Sequence, residues 1–156
     1  MNTPLYISNE ITIDAPATAV WAALTKPEWT RQYMFGCEAL SDWKPGSSLI
    51  WKGNFNGVEM VAVKGQVVSI EPNRELAYTV IDPNNPAIPD LPENYLTVTC
   101  RLTEQTGKTH LAVSQGDYST VAEGQSRYQD SVTGGGWSSI LEQIKQLLEN
   151  PSADHR

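Results

Sequence analysis

GGGWSSILEQIKQLLEN, residues 134–150, decides the fold. Its apolar residues Trp137, Ile140, Leu141, Ile144, Leu147 and Leu148 recur at the spacing of one face of an α-helix. Ser138, Glu142, Gln143, Lys145, Gln146 and Glu149 fill the opposite face, and Asn150-Pro151 is a stop signal. Tyr128 and Val132 extend the stripe upstream in steps of four, which predicts a helix that begins near Val121 and runs through Gly134, Gly135 and Gly136. Each mid-helix glycine costs roughly 1 kcal/mol against alanine, so three in a row need a reason. A helix thinned where it faces a cavity or a close-lying sheet supplies one, and on that reading alanine at Gly135 is neutral or stabilising. The other reading is a loop followed by a shorter helix. Most of the chain before this stretch reads as strands, so a sheet is expected to wrap or lie against the helix.

A chain of 156 residues has the length of one domain, and no linker, repeat or charge block divides it, so residues 1–156 are read as a single unit. A domain of that size buries about 68–70% of its unfolded surface and folds without disulfides or metals. The net charge of −7 repels phosphate backbones and argues against a nucleic-acid partner. Cys37 and Cys100 form no metal-ligand or disulfide spacing. The N-terminus, MNTPLYISNE, lacks the basic and apolar regions of a signal peptide, and no apolar run reaches membrane-span length, so a cytoplasmic protein is expected.

Taken in order, LYISNEITI (5–13) alternates as a strand. Asp14 and Pro16 then suit the start of a helix carrying Val20, Trp21 and Leu24. Thr25-x-x-Glu28 has the form of a capping box, with Pro27 in the first turn of a second short helix carrying Trp29, Tyr33 and Met34. About six consecutive antiparallel strands follow. Their turns are marked by Lys44–Ser47, by Asn56-Gly57, by the Glu71–Arg74 stretch and by the Gly107 loop. Gly65, inside the long strand VEMVAVKGQVVSI, predicts a bulge or bend. DPNNPAIPDLPEN (82–94) has prolines at 83, 86, 89 and 92 and is expected to be a surface connector, a lid being the alternative.

Strand alternation assigns faces. Leu76, Tyr78 and Val80 face inward, as do Val98, Cys100 and Leu102, and Thr109, Leu111, Val113 and Gln115; Arg101 and His110 face outward. The interior then holds aromatics and two polar handles, Tyr78 and Gln115. No nucleophile elbow, zinc-helix motif, phosphate loop or dinucleotide fingerprint is present, and His155 is in the tail. A general acid or base would be Glu59, Asp42 or Glu38, each read as a solvated residue. Trp21 and Trp29 read as core, whereas Trp51 and Trp137 lie on elements that face the gap.

The strings ITIDAPATAVWAALTKPE, SDWKPGSSLIWKG, GQVVSIEPNRELAYT, GKTHLAVSQ and GGGWSSILEQIK, in that order, resemble the family named after the activator of heat-shock protein 90 ATPase. That family lies within the SRPBCC superfamily, with START-type lipid-transfer domains, pollen-allergen-like proteins and polyketide cyclases. The resemblance spans nearly the whole chain and implies an α+β helix-grip fold. In it a curved antiparallel sheet of about seven strands, in β-α-α-β6-α order, wraps a long C-terminal helix over an apolar cavity. The candidate ligand contacts are then Tyr33, Trp51, Tyr78, Val98, Gln115, Tyr128, Trp137 and Leu141. The implied partner is an apolar small molecule, lipid-like or aromatic, bound without cofactor or metal by a monomer or homodimer. A cyclase-like or hydrolytic enzyme in the same cavity, and a domain acting on a chaperone ATPase, are the competing functions. The first lacks an inward histidine; the second lacks the companion N-terminal domain of the eukaryotic activator.

Overall fold

The computed structural model describes residues 3–149; the expected helix stop at Asn150-Pro151, and His155, lie outside them. The chain runs β1 (Ile7–Ile13), α1 (Ala17–Thr25), α2 (Pro27–Tyr33), β2 (Glu38–Ser41), β3 (Ser48–Phe55), β4 (Val58–Glu71) and β5 (Glu75–Val80). It continues through β6 (Leu96–Gln105), β7 (Lys108–Gly116), α3 (Gly124–Thr133) and α4 (Ser138–Glu149). The seven strands form one antiparallel sheet in the order β1-β7-β6-β5-β4-β3-β2. Strands β2 to β7 are a meander, and α1 and α2 carry the chain from β1 at one edge to β2 at the other. The fold is the expected α+β curved sheet. Inward positions read from alternation are buried: Leu76, Tyr78, Val98, Cys100, Leu111 and Val113 all lie in the core.

The sheet bends where β4 slips register. One irregularity lies opposite Trp51 and Lys52, which pair with Val63 and Val61; another lies between Val67 and Ser69. Extra residues of this kind bend a strand and increase its twist. Gly65 is at neither. A Cβ there would stand 1.6 Å from the carbonyl oxygen of Thr79, so the glycine permits a close backbone approach between β4 and the end of β5. The Asn56-Gly57 hairpin is as expected, with φ of 55° and 85° at its two central residues. The 82–94 connection is largely exposed but tied down: Ile88 is buried, and Asn94, also buried, accepts the Ala122 N–H and donates to the Pro89 carbonyl, both at 2.9 Å.

Three local expectations are corrected. The helix does not run through the glycines. α3 ends at Thr133; the Gly136 N–H bonds to the Ser131 carbonyl and the Gly135 N–H to the Val132 carbonyl, at 2.8 and 3.1 Å. That pair of bonds, with Gly135 at φ +85° and Gly136 at φ +60°, is a Schellman ending, which needs a left-handed residue after the cap. α3 starts at Gly124 rather than near Val121, and Val132 is 49% exposed, so the upstream stripe does not continue the buried face. Thr25 is not a capping-box residue: its hydroxyl donates to the Trp21 carbonyl at 2.9 Å, inside α1, and α2 starts without a side-chain cap. Nor does Asp14 hold the start of α1. Glu104, arriving from β6, accepts the Ala17 N–H at 2.6 Å.

α4 buries Leu141 and Ile144 and leans Ile140, Leu147 and Leu148 on the same core. Its last turn is fastened to the β1–α1 corner. Glu149 Oε2 accepts the Asp14 N–H at 2.8 Å and the Lys145 ammonium at 2.5 Å, and Lys145 also donates to the Thr12 carbonyl at 3.1 Å. The Lys145 bond, then the Asp14 N–H, hold the Glu149 carboxyl below its ordinary value.

Gly135→Ala is therefore expected to destabilise by about 1–2 kcal/mol, the cost of a left-handed L-residue. Gly136→Ala should cost more, because its Cβ would stand 2.6 Å from Ile7 Cγ2 and 2.7 Å from Asn9 Oδ1. Urea unfolding checks both, and a stabilised Gly135→Ala would restore the continuous-helix reading. For Glu149 the folded value is depressed, so its contribution is present above the ordinary carboxylate range and fades as pH falls through the folded value. The stability gap between the wild type and Glu149→Gln should accordingly be largest near neutrality and close on acidification.

Candidate functional site

The inner face of the sheet is read most simply as rows. Val67 pairs with Tyr78, Tyr78 with Val98, Val98 with Gln115, and Gln115 with Ile7. Five residues on five adjacent strands thus share one level and one face. Above this row lies a cavity of about 410 Å³. Ile7, Tyr78, Val98 and Gln115 line its floor. Val80, Trp51, Ala62 and Val63 continue the lining on the sheet side. Trp137, Ile140 and Gly136 close it from the helix side, with Tyr118 and Ser131 beside them. Met34, Phe35 and Cys37, from the loop between α2 and β2, line it together with Phe55. Phe35 is 79% exposed with φ of 56°, so this loop is the rim that meets solvent.

Trp137 is placed by two bonds to the sheet. Its backbone N–H donates to Asn9 Oδ1 at 2.9 Å, and its indole N–H donates to Gln115 Oε1 at 2.8 Å. An indole N–H only donates, so the Gln115 amide is oriented with its oxygen toward Trp137. Trp51 and Tyr78 stand with ring centroids 6.1 Å apart, tilted by 43°. Tyr78 is 4% exposed, and among the described residues its hydroxyl has no hydrogen-bond partner. Burial, followed by the nearby Cys100 and Tyr33, pushes its ionisation well above the ordinary tyrosine value, so it is a neutral hydroxyl.

Of the eight sequence-derived positions, Trp51, Tyr78, Val98, Gln115 and Trp137 come together around the cavity. Tyr33, Tyr128 and Leu141 do not line it. Tyr33 is in the core with its hydroxyl donated to the Ala23 carbonyl at 2.6 Å. Tyr128 stacks edge-on against Tyr118 in a second, smaller cluster. Leu141 points into the main core, and its neighbour Ile140, a hundred degrees round the helix, takes the cavity position. Ile7 and Ile140 were readable from the row through Gln115 and from the edge of the helical stripe. Met34, Phe35 and Cys37 sit in a loop, where no periodicity signals a face.

The carboxylates that could have served as acid or base lie elsewhere. Glu59 pairs with Lys52 at 3.0 Å and Glu38 with Arg31 at 3.3 Å, both on the surface, and Asp42 is exposed. His110 faces outward beside Glu10, at 3.3 Å. Among the described residues, the lining contains no Asp, Glu, Lys, Arg or His. No group of histidine, cysteine and carboxylate side chains able to hold a metal occurs among the described residues. No helix among them is long and apolar enough to cross a membrane.

Residues 14–149 match the family model described as Activator of Hsp90 ATPase homolog 1-like protein. A solution structure of ChR145 from Cytophaga hutchinsonii is 33% identical, with a TM-score of 0.74, over 99% of this chain and 100% of that one. A protein from Arthrobacter aurescens superposes with a TM-score of 0.75 at 17% identity, covering 98% of this chain and 90% of that one. The Aha1 dimer from Colwellia psychrerythraea gives 0.68 at 16% identity, over 96% and 99% of the two chains, a likeness of fold. No curated protein matches the chain.

The two thiols differ in surroundings. Cys100 is buried within β6, and desolvation pushes it up to about 12; Cys37 is raised less and lines the cavity. With dithionitrobenzoate at neutral pH, Cys37 should label slowly and Cys100 only on unfolding. A neutral apolar fluorophore should slow Cys37 further. Equal labelling of both thiols in the native protein would contradict this placement.

Proposed function

The chain belongs to the family of Activator of Hsp90 ATPase homolog 1-like proteins, and on that footing we propose that it binds a neutral, apolar small molecule between its sheet and α4. The observation that carries this reading is a space of about 410 Å³ lined, among the described residues, by no charged side chain. Protein interiors are close-packed, with few voids larger than a water molecule, and small-molecule sites span about 300–1,000 Å³. A charged ligand would lose its hydration here without gaining a counter-charge. A neutral aromatic or aliphatic one would exchange water for Trp51, Val98, Trp137 and Ile140.

The test is titration with the neutral fluorophore N-phenylnaphthylamine. It should bind once per chain with enhanced emission. Val98→Phe, in the middle of the floor, should weaken binding at least about tenfold while costing about 1–3 kcal/mol of stability through overpacking. Unchanged binding by a folded Val98→Phe variant would place the fluorophore elsewhere. An anilinonaphthalene sulfonate that bound as tightly as the neutral probe would contradict the charge argument.

A further inference from the structure

The floor of the cavity carries two polar groups whose hydrogen-bonding capacity the protein leaves unspent. Tyr78 is the first. The other deeply buried tyrosines have partners: Tyr33 donates to the Ala23 carbonyl at 2.6 Å, and Tyr118 shares a bond with Ser131 at 3.1 Å. Tyr78, equally buried and facing the cavity, has none among the described residues. Buried polar atoms are nearly always satisfied, so such an exception calls for a cause.

Gln115 is the second. Its oxygen is occupied by the Trp137 indole, which fixes the amide plane and turns the NH2 group away from Trp137. Among the described residues that NH2 donates to nothing. The register places the two groups on one level: Tyr78 pairs with Val98 and Val98 with Gln115. Their strands are two spacings apart, roughly 10 Å between backbones, with only a valine between them. Both side chains stand on the same face of the sheet and line the same cavity. The apolar residues around them offer no competing acceptor, and the tilted ring of Trp51 lies 6.1 Å from that of Tyr78.

The donor inventory then decides the ligand chemistry. The NH2 of Gln115 can only donate, and the indole bond keeps the amide from turning its oxygen into that place. The Tyr78 hydroxyl is neutral and able to donate. Among the described residues, the lining holds no cation to balance a carboxylate or phosphate. We propose that the cavity selects a ring-containing apolar molecule bearing an uncharged carbonyl oxygen, as in an aryl ketone, quinone or ester, which accepts hydrogen bonds from Tyr78 and Gln115. The Trp137–Gln115 bond sets this preference by holding the amide with its donors inward. The inference rests on the small-molecule reading above and adds to it the polar group that the ligand must carry.

A matched pair of probes separates the two. Methyl naphthyl ketone and ethylnaphthalene share the ring and a two-carbon substituent and differ in the carbonyl oxygen. Calorimetric titration of the full chain should show the ketone bound about tenfold more tightly, as two neutral hydrogen bonds give. Naphthoate should bind more weakly than either. Tyr78→Phe and Gln115→Met should each narrow the ketone preference to about threefold, and the double variant should abolish it, the preference being read in every case as the ratio of ketone to ethylnaphthalene affinity within the same variant. The carbonyl stretch of the bound ketone should move to lower wavenumber than in hydrocarbon solvent and move back in Tyr78→Phe. Without ligand, Tyr78→Phe should keep or raise the urea midpoint, since it removes a hydroxyl with no partner. A lowered midpoint would mean that the hydroxyl is structural and would overturn its role. Equal affinity for ketone and hydrocarbon would overturn the carbonyl preference while leaving the apolar-ligand reading intact. Binding of neither probe would remove that reading and this inference with it.

Discussion

The near end of α4 is set by Trp137, held at its backbone by Asn9 and at its indole by Gln115. Both partners are on the sheet, at the β1–β7 edge, and the residue follows directly on the glycine turn that ends α3. The far end of α4 is fastened to the same edge, through Glu149 to the Asp14 N–H and Lys145 to the Thr12 carbonyl. A helix pinned at both ends along β1 cannot also lie down on β3, β4 and β5. The apolar stripe of α4 fills part of the concavity with Leu141 and Ile144, and what is left, beneath Trp137 and Ile140 and above Tyr78 and Val98, is the cavity. The space thus follows from where the helix is tied as much as from any small residue within it.

Alternation in the strands was legible because each side-chain face is fixed by a period of two and enforced by hydrogen bonding on both sides. The placement of Tyr78, Val98 and Gln115 on one face follows from that alone. Helical reading through the glycines failed for a specific reason. Tyr128, Val132, Gly136 and Ile140 are spaced by four, and a count by fours runs across a Schellman turn as easily as along a helix. What distinguishes the two is the left-handed backbone at Gly135, and a glycine at the position after the cap was the signal available for it. The start of α1 was missed because a distant partner decides it, and the capping box expected for α2 fails because a local partner takes its threonine. Glu104 reaches Ala17 from β6, and Thr25 is claimed by the preceding turn through Trp21. The rim residues Met34, Phe35 and Cys37 were invisible for a third reason: a loop has no period, and Phe35 reaches the rim through a left-handed conformation unusual for its residue type.

Coupling between packing and polarity runs through Gln115. Were its oxygen free, the amide could turn and offer either a donor or an acceptor to the cavity. The indole bond removes that freedom at the point where the helix meets the sheet. The same contact that orients α4 therefore fixes the hydrogen-bonding character of the floor, so a shift of the helix at Trp137 would alter both the shape of the cavity and the polarity it presents.

The two ends of the cavity are built differently. The floor is a row of residues on β5, β6, β7 and β1, each strand paired on both sides or anchored at the edge to its neighbour. Its side chains are preorganised, and ordering them on binding costs little. The rim is a short connection between α2 and β2, with Phe35 at φ 56° and Gly36 at φ 83°, and Phe35 places most of its ring in solvent. No ladder bonds hold that ring over the lining. The fixed part of the lining is thus the floor, held by the sheet's ladders, and the part outside those ladders is the rim at Phe35.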